Sequence, residues 1–426
     1  MEGHAITNTL VKTLGEPFVG ARAALRPILI HAHSQFSIYR ESMAKAGISI
    51  RDLQTCDPLR LLEALAPLEG DAFYQLADEA FATADEVVDL EASSGTTGHR
   101  KRRVITYRDE IAESKYLARL FRVCGLGDND RVACLDTGPL TLMVSFTRAL
   151  EEMGVAEAYA LSAGPDPAAT INDLLVLDPT AIITVPSVLE RCLDILVHGL
   201  AEHRNAKLRS LVYVGEPLRS AAHARLVDNL GLEVFAYYGA SETSALGMEC
   251  RAHDGIHLFN EQNFLEISTA EPDDTHGRLL VTTLHQEGLP LLRYALGDLV
   301  KLRPGPCTCG LPDPRVDVIG RTDDSVSLLG VKVSYDGILK AAYREMRTLG
   351  PIEVVLTDDG GDKMTIVLPN NLADDEQIIR RSLTGKEPDL AYLFAGKFVE
   401  LELAFVDDAH FRDARKEKRV IDLRRG

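Results

Sequence analysis

Two groups of residues have the types and spacing to do chemistry. The first is Ser93-Ser-Gly-Thr-Thr-Gly-His-Arg-Lys101. Gly95 and Gly98 let backbone N–H groups turn toward anionic oxygens with no Cβ in the way. The hydroxyls of Ser93, Ser94, Thr96 and Thr97 add donors, and Lys101 adds a compact charge suited to terminal phosphates. Together they have the chemistry of a polyphosphate cradle. The spacing is not that of a Walker loop, because His99 follows Gly98 where Lys-Ser/Thr is needed; a P-loop kinase or GTPase is disfavoured. A solvated Ser/Thr/Gly loop would share this composition. The adjoining run His99-Arg-Lys-Arg-Arg103 tilts the reading toward phosphate in so acidic a chain.

The second group is Cys250, His257, Cys307 and Cys309, a Cys-x6-His followed by Pro-Cys-Thr-Cys-Gly. Thiolates and an imidazole are what tetrahedral Zn²⁺ prefers, and four protein ligands would close the site to water, making it structural. The Cys-x-Cys spacing is tighter than a zinc-finger pair, and His253 is a rival to His257. Two reduced thiols and an unrelated buried Cys250 would be the plainer account. The other cysteines, 56, 124, 134 and 192, read as small core residues.

These residues need a scaffold. Asp57-Pro-Leu-Arg-Leu-Leu-Glu-Ala-Leu65 predicts a helix capped by Asp57 with Pro58 at its first position. Val87 to Ala92 reads as a strand entering the phosphate loop. Further runs, Arg131–Leu135, Ala181–Val185, Ser210–Val214 and Glu233–Tyr237, alternate with helical segments, which predicts βαβ units and a parallel sheet. Closely spaced strands over 257–303 predict an antiparallel subdomain. Beyond Gly320 a helix near 336–348 and strands near 352–357, 364–368 and 398–406 predict a small α+β domain. The expected division is 1–320 and 321–426.

The chain of 426 residues carries 46 basic against 64 acidic residues, a formal charge of −18. This argues against nucleic-acid and anionic-membrane partners, which attract basic patches. Its seven scattered cysteines argue against a secreted disulfide framework. Neither a signal peptide nor a membrane span is visible, so a soluble cytoplasmic protein is expected.

Ser93 to Lys101 resembles the phosphate loop of the adenylate-forming (ANL) superfamily. Tyr238-Gly-Ala-Ser-Glu242 looks like its Tyr-Gly-x-Thr-Glu motif, with Ser241 for threonine. Leu292-Arg-Tyr-Ala-Leu-Gly-Asp298 looks like its Tyr-Arg-x-Gly-Asp motif. Gly320-Arg-Thr-Asp-Asp324 is similar to its hinge, and Arg415-Lys-Glu-Lys-Arg-Val-Ile-Asp422 to its C-terminal lysine motif. Val185-Pro-Ser187, Val214-Gly-Glu-Pro217, Glu249-Cys250 with Gly255-Ile-His257, and Pro290-Leu-Leu-Arg-Tyr294 resemble the phenylacetate–CoA ligase branch.

The resemblance implies an α/β protein with a large adenylation domain and a mobile C-terminal α+β domain. It implies ATP-dependent conversion of a small carboxylic acid, aryl or arylacetic, to an acyl-adenylate with release of pyrophosphate, then transfer to coenzyme A. Ser93 to Gly98 and Lys101 would hold the terminal phosphates. Glu242 would hold Mg²⁺, and Ser241 would face the α-phosphate or acyl carboxylate. Tyr238 and Gly239 would lie near the adenine, with Gly215 and Glu216 along its other edge. Asp298 would accept the ribose hydroxyls, with Arg321 nearby, and Asp323 would be the hinge. Lys416 would stabilise charge at the carboxylate–phosphate junction. Some members of the branch carry zinc at Cys250, His257, Cys307 and Cys309. The acid pocket would involve 136–146, including Leu142, Met143 and Phe146, with 214–217 and 237–240. A homodimer is compatible with this picture.

Leu329-Gly-Val-Lys-Val-Ser-Tyr335 departs from the branch's Arg-Gly-x-Asn-Val-Phe-Pro, and Arg415 replaces a glycine. An adenylating ligase that passes the acyl group to an amine or carrier protein is therefore the second expectation. A non-catalytic ATP-binding regulator on the same fold is the third; Lys101, Glu242, Asp298 and Lys416 together count against it.

Overall fold

The computed structural model describes residues 10–14, 20–70, 72–92, 102–136, 141–164, 166–203, 206–269, 275–321, 325–328, 331–346, 351–358, 362–385, 388–407, 410 and 420–424. Strand β1 (Leu10–Thr13) precedes a group of helices between Ala21 and Thr83 and a hairpin of β2 (Val87–Ala92) and β3 (Arg102–Thr106). The expected cap is present: Asp57 accepts from Leu59 N at 3.4 Å, and Pro58 opens the helix.

Helices separate the next five strands, β4 (Arg131–Asp136), β5 (Glu157–Ser162), β6 (Ala181–Thr184), β7 (Ser210–Tyr213) and β8 (Glu233–Ala240). Every residue of β6 is buried, as a strand covered on both faces by helices requires. β4 pairs parallel with β5 and β6, β6 with β7, and β7 with β8, as the βαβ alternation predicts. Then β9 (Ser244–Glu249), β10 (Ile256–Leu258), β11 (Asn263–Thr269), β12 (His276–Thr283), β13 (Tyr294–Arg303) and β14 (Arg315–Arg321) pair antiparallel.

The antiparallel strands are present as expected, and they continue the same sheet as the parallel ones. The order β1-β11-β12-β13-β14-β10-β9-β8-β7-β6-β4-β5 is one sheet of twelve strands. The reason is the length of β8. Glu233–Ala236 pairs with β7, and Tyr237–Ala240 pairs with β9. One eight-residue strand thus serves both halves. Apolar side chains from the N-terminal helices (Leu25, Phe36, Tyr39, Phe73) pack on the antiparallel half, and Ile171, Leu189 and Leu196 pack on the parallel half.

After β14, no described strand joins the large sheet. β15 (Ser325–Leu328) and β16 (Val331–Ser334) form a hairpin, and β17 (Glu353–Thr357), β18 (Lys363–Pro369), β19 (Glu400–Val406) and β20 (Val420–Asp422) form a sheet ordered β19-β18-β17-β20. The helix expected to reach residue 348 spans only Tyr335–Ala342. Its bonding tightens there: Tyr343 N still reaches Leu339 O, but Met346 N bonds to Tyr343 O, three residues back.

Arg293 ties the N-terminal helices to this frame. It holds a φ of 50°, and its Nε meets Glu266 Oε2 at 3.0 Å with both side chains almost wholly buried. Its Nη1 also donates to the carbonyls of Glu63 and Leu65, at 2.9 and 2.5 Å. Removing one partner of a buried pair leaves the other uncompensated. Arg293→Met is therefore expected to lower unfolding free energy by about 3–5 kcal/mol in urea titration, with a much smaller loss in the double variant Arg293→Met/Glu266→Met.

Candidate active site

The carboxyl ends of β4, β6, β7 and β8 lie along the same edge of the sheet, and within β8 the pairing changes from parallel to antiparallel. The strand order reverses between β4 and β6, and ligands of open α/β sheets bind outside the carboxyl ends of strands at such switch points. The segments expected to bind nucleotide and acid follow these strand ends: 136–146, Val185–Ser187, Val214–Pro217 and Tyr237–Glu242.

Tyr238 and Asp298 come from β8 and β13, sixty residues apart, and meet directly. The Tyr238 hydroxyl donates to Asp298 Oδ2 at 2.7 Å, and both residues are buried. In the β13–β14 ladder Asp298 faces Arg321. The residue after Ser241 is Glu242, also buried, whose Oε1 accepts from the Tyr294 hydroxyl at 3.3 Å. Sequence reasoning gave Tyr294 no role of its own. Its signal was present, inside the Leu292–Asp298 motif and four residues before Asp298.

The turn that carries Ser241 and Glu242 is tight. A Cβ on Gly239 would lie 2.7 Å from the Ser244 carbonyl and 2.8 Å from the Tyr237 hydroxyl oxygen, so a side chain there would displace the turn. Ser244 itself sits at a φ of 59°.

Two motifs that the sequence kept apart also join. Glu216 accepts from Ser187 N at 3.0 Å and from the Ser187 hydroxyl. Gly215 before it has a φ of 83°, a conformation that favours glycine. Close by, Arg219 meets Glu190 at 2.9 Å and Asp358 and Asp362 at 2.7 Å. Arg424 meets Asp362 at 3.5 Å and Asp422 at 2.9 Å. Burial pushes the Glu216 carboxyl up to about 7, against the pull of the Ser187 bonds and Arg424.

Ser93 to Lys101, Asp323 and Lys416 are outside the described residues, as are the side chains of Leu142, Met143 and Arg321. Arg103 is not part of a solvent-facing basic run. It is buried between Glu91 and Glu113, because a guanidinium in the interior needs carboxylates around it. Arg424, near the C-terminal lysine motif, is likewise spent on Asp362 and Asp422. Phe146 is core, edge-on to Phe121 at 5.6 Å and to Tyr237 at 5.5 Å. Burial first, then the charges of Glu91 and Glu113, push the Tyr237 phenol above its ordinary range. Cys124, Cys134 and Cys192 are core, but Cys56 is exposed at a helix end, near Asp52.

The four expected metal ligands do converge, with their ligand atoms all within 4.8 Å of one another. Cys250 Sγ lies 3.7 Å from Cys307 Sγ, and Cys309 Sγ lies 3.4 Å from His257 Nε2. A tetrahedral zinc with ordinary bond lengths separates sulfurs by about 3.8 Å and sulfur from nitrogen by about 3.5 Å. Ala252 N and Leu311 N each donate to a ligand sulfur at 3.4 Å. The rival, His253, turns away: it stacks on Phe235 at 5.2 Å and its Nδ1 faces Glu249 at 3.6 Å.

The sequence profile of the family described as "AMP-binding enzyme" matches residues 23–273, more than half of the chain. The chain belongs to that family. Its similarity within the family runs to the phenylacetate–CoA ligases. It is 28% identical to the phenylacetate-coenzyme A ligase of Escherichia coli over 77% of each protein. It is 30% identical to that of Pseudomonas putida over 72% of this chain and 71% of the relative. Among solved structures, 2-hydroxyisobutyryl-CoA ligase with its acyl-adenylate and CoA, in the thioesterification state, superposes with a TM-score of 0.75 at 19% identity, covering 96% of this chain and 91% of that one. That likeness shows the adenylate-forming fold, large mixed sheet and small C-terminal sheet alike. Among the described residues no helix is long and apolar enough to cross a membrane.

The Glu216 environment makes a pH prediction. Unfolded, a glutamate ionises near about pH 4.3, whereas the folded value is about 7. Between the two, the folded protein keeps a proton that the unfolded chain has released, so this group's contribution to stability falls as pH rises through that window. Relative to Glu216→Gln, the parent should lose up to about 3 kcal/mol between about pH 4 and about pH 7.5. Urea titrations across that range check it; superimposable pH profiles would contradict it.

Proposed function

We propose that this protein is an AMP-forming acid–CoA ligase that activates a small carboxylic acid, aryl or arylacetic, with ATP. The meeting of Asp298, Tyr238, Glu242 and Tyr294 where the sheet turns antiparallel carries this reading, in a chain of this family whose relatives are phenylacetate–CoA ligases. Ribose recognition asks for a carboxylate with two acceptor oxygens. Asp298 supplies it, held at one oxygen by Tyr238, and Arg321 faces it across the ladder. The Tyr238 ring and Gly239 would border the adenine, with Gly215 and Glu216 on the other edge. The Ser241 hydroxyl would meet the α-phosphate or the acyl carboxylate.

Glu242, a buried carboxylate oriented by Tyr294, suits Mg²⁺, which bridges phosphate oxygens and offsets their charge. Ser93 to Gly98 and Lys101 would hold the departing pyrophosphate, and Lys416 would neutralise charge at the carboxylate–phosphate junction. Residues 1–320 and 321–426 would act as two units, turning about Asp323 between adenylation and transfer. Zn²⁺ would be structural at Cys250, His257, Cys307 and Cys309, whose spacing fits a closed tetrahedral site. The protein would work in the cytoplasm, as a monomer or homodimer, without nucleic-acid or membrane partners. The departure at Leu329–Tyr335 supports a second reading, transfer to an amine or carrier protein instead of CoA.

Acid-dependent exchange of labelled pyrophosphate into ATP, over a panel of aromatic and aliphatic acids, tests activation. Exchange is expected with the parent and a loss of at least about 100-fold with Asp298→Ala, which removes the ribose acceptor. Exchange with no CoA consumption would favour the second reading, and no exchange with any acid would sink the enzyme altogether. Elemental analysis is expected to find one zinc per chain in the parent and none in Cys307→Ala, together with a lowered Tm. A metal-free parent purified without chelator would remove the zinc assignment.

A further inference from the structure

Outside the proposed nucleotide contacts, the buried group of Arg103, Glu91, Glu113 and Gln286 is used by none of the steps above. Glu91 and Arg103 face each other across the β2–β3 hairpin, and the next pair, Ala92 and Arg102, brackets the segment 93–101. Arg103 Nη2 meets Glu91 Oε2 at 2.8 Å and Glu113 Oε2 at 3.0 Å, and Nη1 meets Glu113 Oε1. Ser145 donates to Glu91 Oε1 at 3.3 Å. From the far side, Gln286 Nε2 donates to Glu113 Oε1 at 3.2 Å and to the Thr243 carbonyl at 3.4 Å. Thr243 is the residue after Glu242.

The helix Tyr107–Val123 anchors this group along one face. Asp109, one turn before Glu113, accepts from Glu287 N at 2.7 Å and Gly288 N at 3.0 Å. Tyr116, the next position on that face, donates to the Phe259 carbonyl at 3.0 Å. One helix thus fixes the hairpin base, the 286–288 segment and the sheet.

Buried ion groups of this kind are seldom the cheapest way to fill a core, since apolar replacements of equal volume are often as stable. Here, moreover, Gln286 Oε1 is buried with no partner among the described residues, a further cost. What the group does supply is direction: a guanidinium accepts carboxylates only within its plane, and the carboxamide reaches both Glu113 and Thr243 in one orientation. We propose that Arg103, Glu113 and Gln286 are positioning residues for adenylation, holding the ends of strands β2 and β3 in fixed register with the turn that carries Glu242. The proposal rests on the acid-activating function above and deepens it. It makes the relative placement of the β2 and β3 ends and the turn at Ser241–Thr243 depend on one guanidinium and one carboxamide.

The test separates the two half-reactions in Glu113→Gln, Gln286→Met and Arg103→Lys. Pyrophosphate exchange should fall on the order of 10–100-fold in kcat, with KM for the acid unchanged, because a misplacement of about 1 Å has that effect. Transfer to CoA from chemically made acyl-adenylate should stay within about twofold of the parent, since it no longer needs the terminal phosphates placed. Arg103→Lys should not rescue, because an ammonium cannot bridge two carboxylates in a plane. If both half-reactions fall together in proportion to folded protein, or if Gln286→Met leaves exchange intact, the proposal is overturned. Should the parent show no exchange with any acid, the enzyme reading fails instead. Positioning is then read from Mg·ATP affinity, expected to weaken at least about tenfold in Gln286→Met and Glu113→Gln, and an unchanged affinity or a parent that binds no Mg·ATP would overturn it too.

Discussion

Strand β8 is held from both sides in two different ways, and most of the site follows from that constraint. Its first four residues pair parallel with β7, and its last four pair antiparallel with β9. A parallel neighbour needs a crossover, whereas an antiparallel one needs only a turn. The chain therefore arrives at β8 from a helix and leaves it through the short bend at Ser241–Thr243. That bend has little freedom, because Gly239 lies against the Ser244 carbonyl. Tyr238 and Glu242 then project from a fixed frame toward β13, where Asp298 and Tyr294 receive them. Recognition groups separated by dozens of residues become neighbours without any long loop.

The second organising fact is where the positive charge goes. A chain of net charge −18 must bind anions, and its run of basic residues near the phosphate loop suggests a direct answer. The structure spends part of that charge internally. Arg103 is enclosed by Glu91 and Glu113, Arg293 by Glu266, and Arg424 by Asp362 and Asp422. Desolvation disfavours each lone charge, but paired and hydrogen-bonded they become rigid struts. Arginine in this protein is as much a carpenter of carboxylates as a ligand for phosphate.

Much of this was legible in the sequence, for particular reasons. The βαβ alternation showed because parallel strands such as Ala181–Thr184 are short, buried and mostly apolar, and longer amphipathic runs separate them. The Cys/His set showed because thiolate and imidazole types are rare enough to stand out across fifty residues. What did not show were relations between segments. Nothing local in Glu233–Ala240 tells that one strand will join the parallel and antiparallel halves of a single sheet. Arg103 read as part of a surface run because its partners, Glu91 and Glu113, are identifiable only once a hairpin and a helix fold together. His253 and His257 looked alike as ligands; the strand register of β10 and a stacked Phe235 tell them apart. Phe146 looked like pocket lining because a core aromatic and a pocket aromatic have the same sequence signature.

The gathering of Cys250, Cys307 and Cys309 also carries a liability. Cys250 and Cys307 are buried, Cys309 is exposed, and their sulfurs crowd together with the His257 imidazole. Three thiols are an odd number, so any disulfide formed among them strands the third beside a solvent-facing position. A bound cation would take all three as ligands and shield their lone pairs from oxidants. Stripped of it, the exposed Cys309 would meet peroxide first, with two further sulfurs in reach to trap the oxidised thiol as a disulfide.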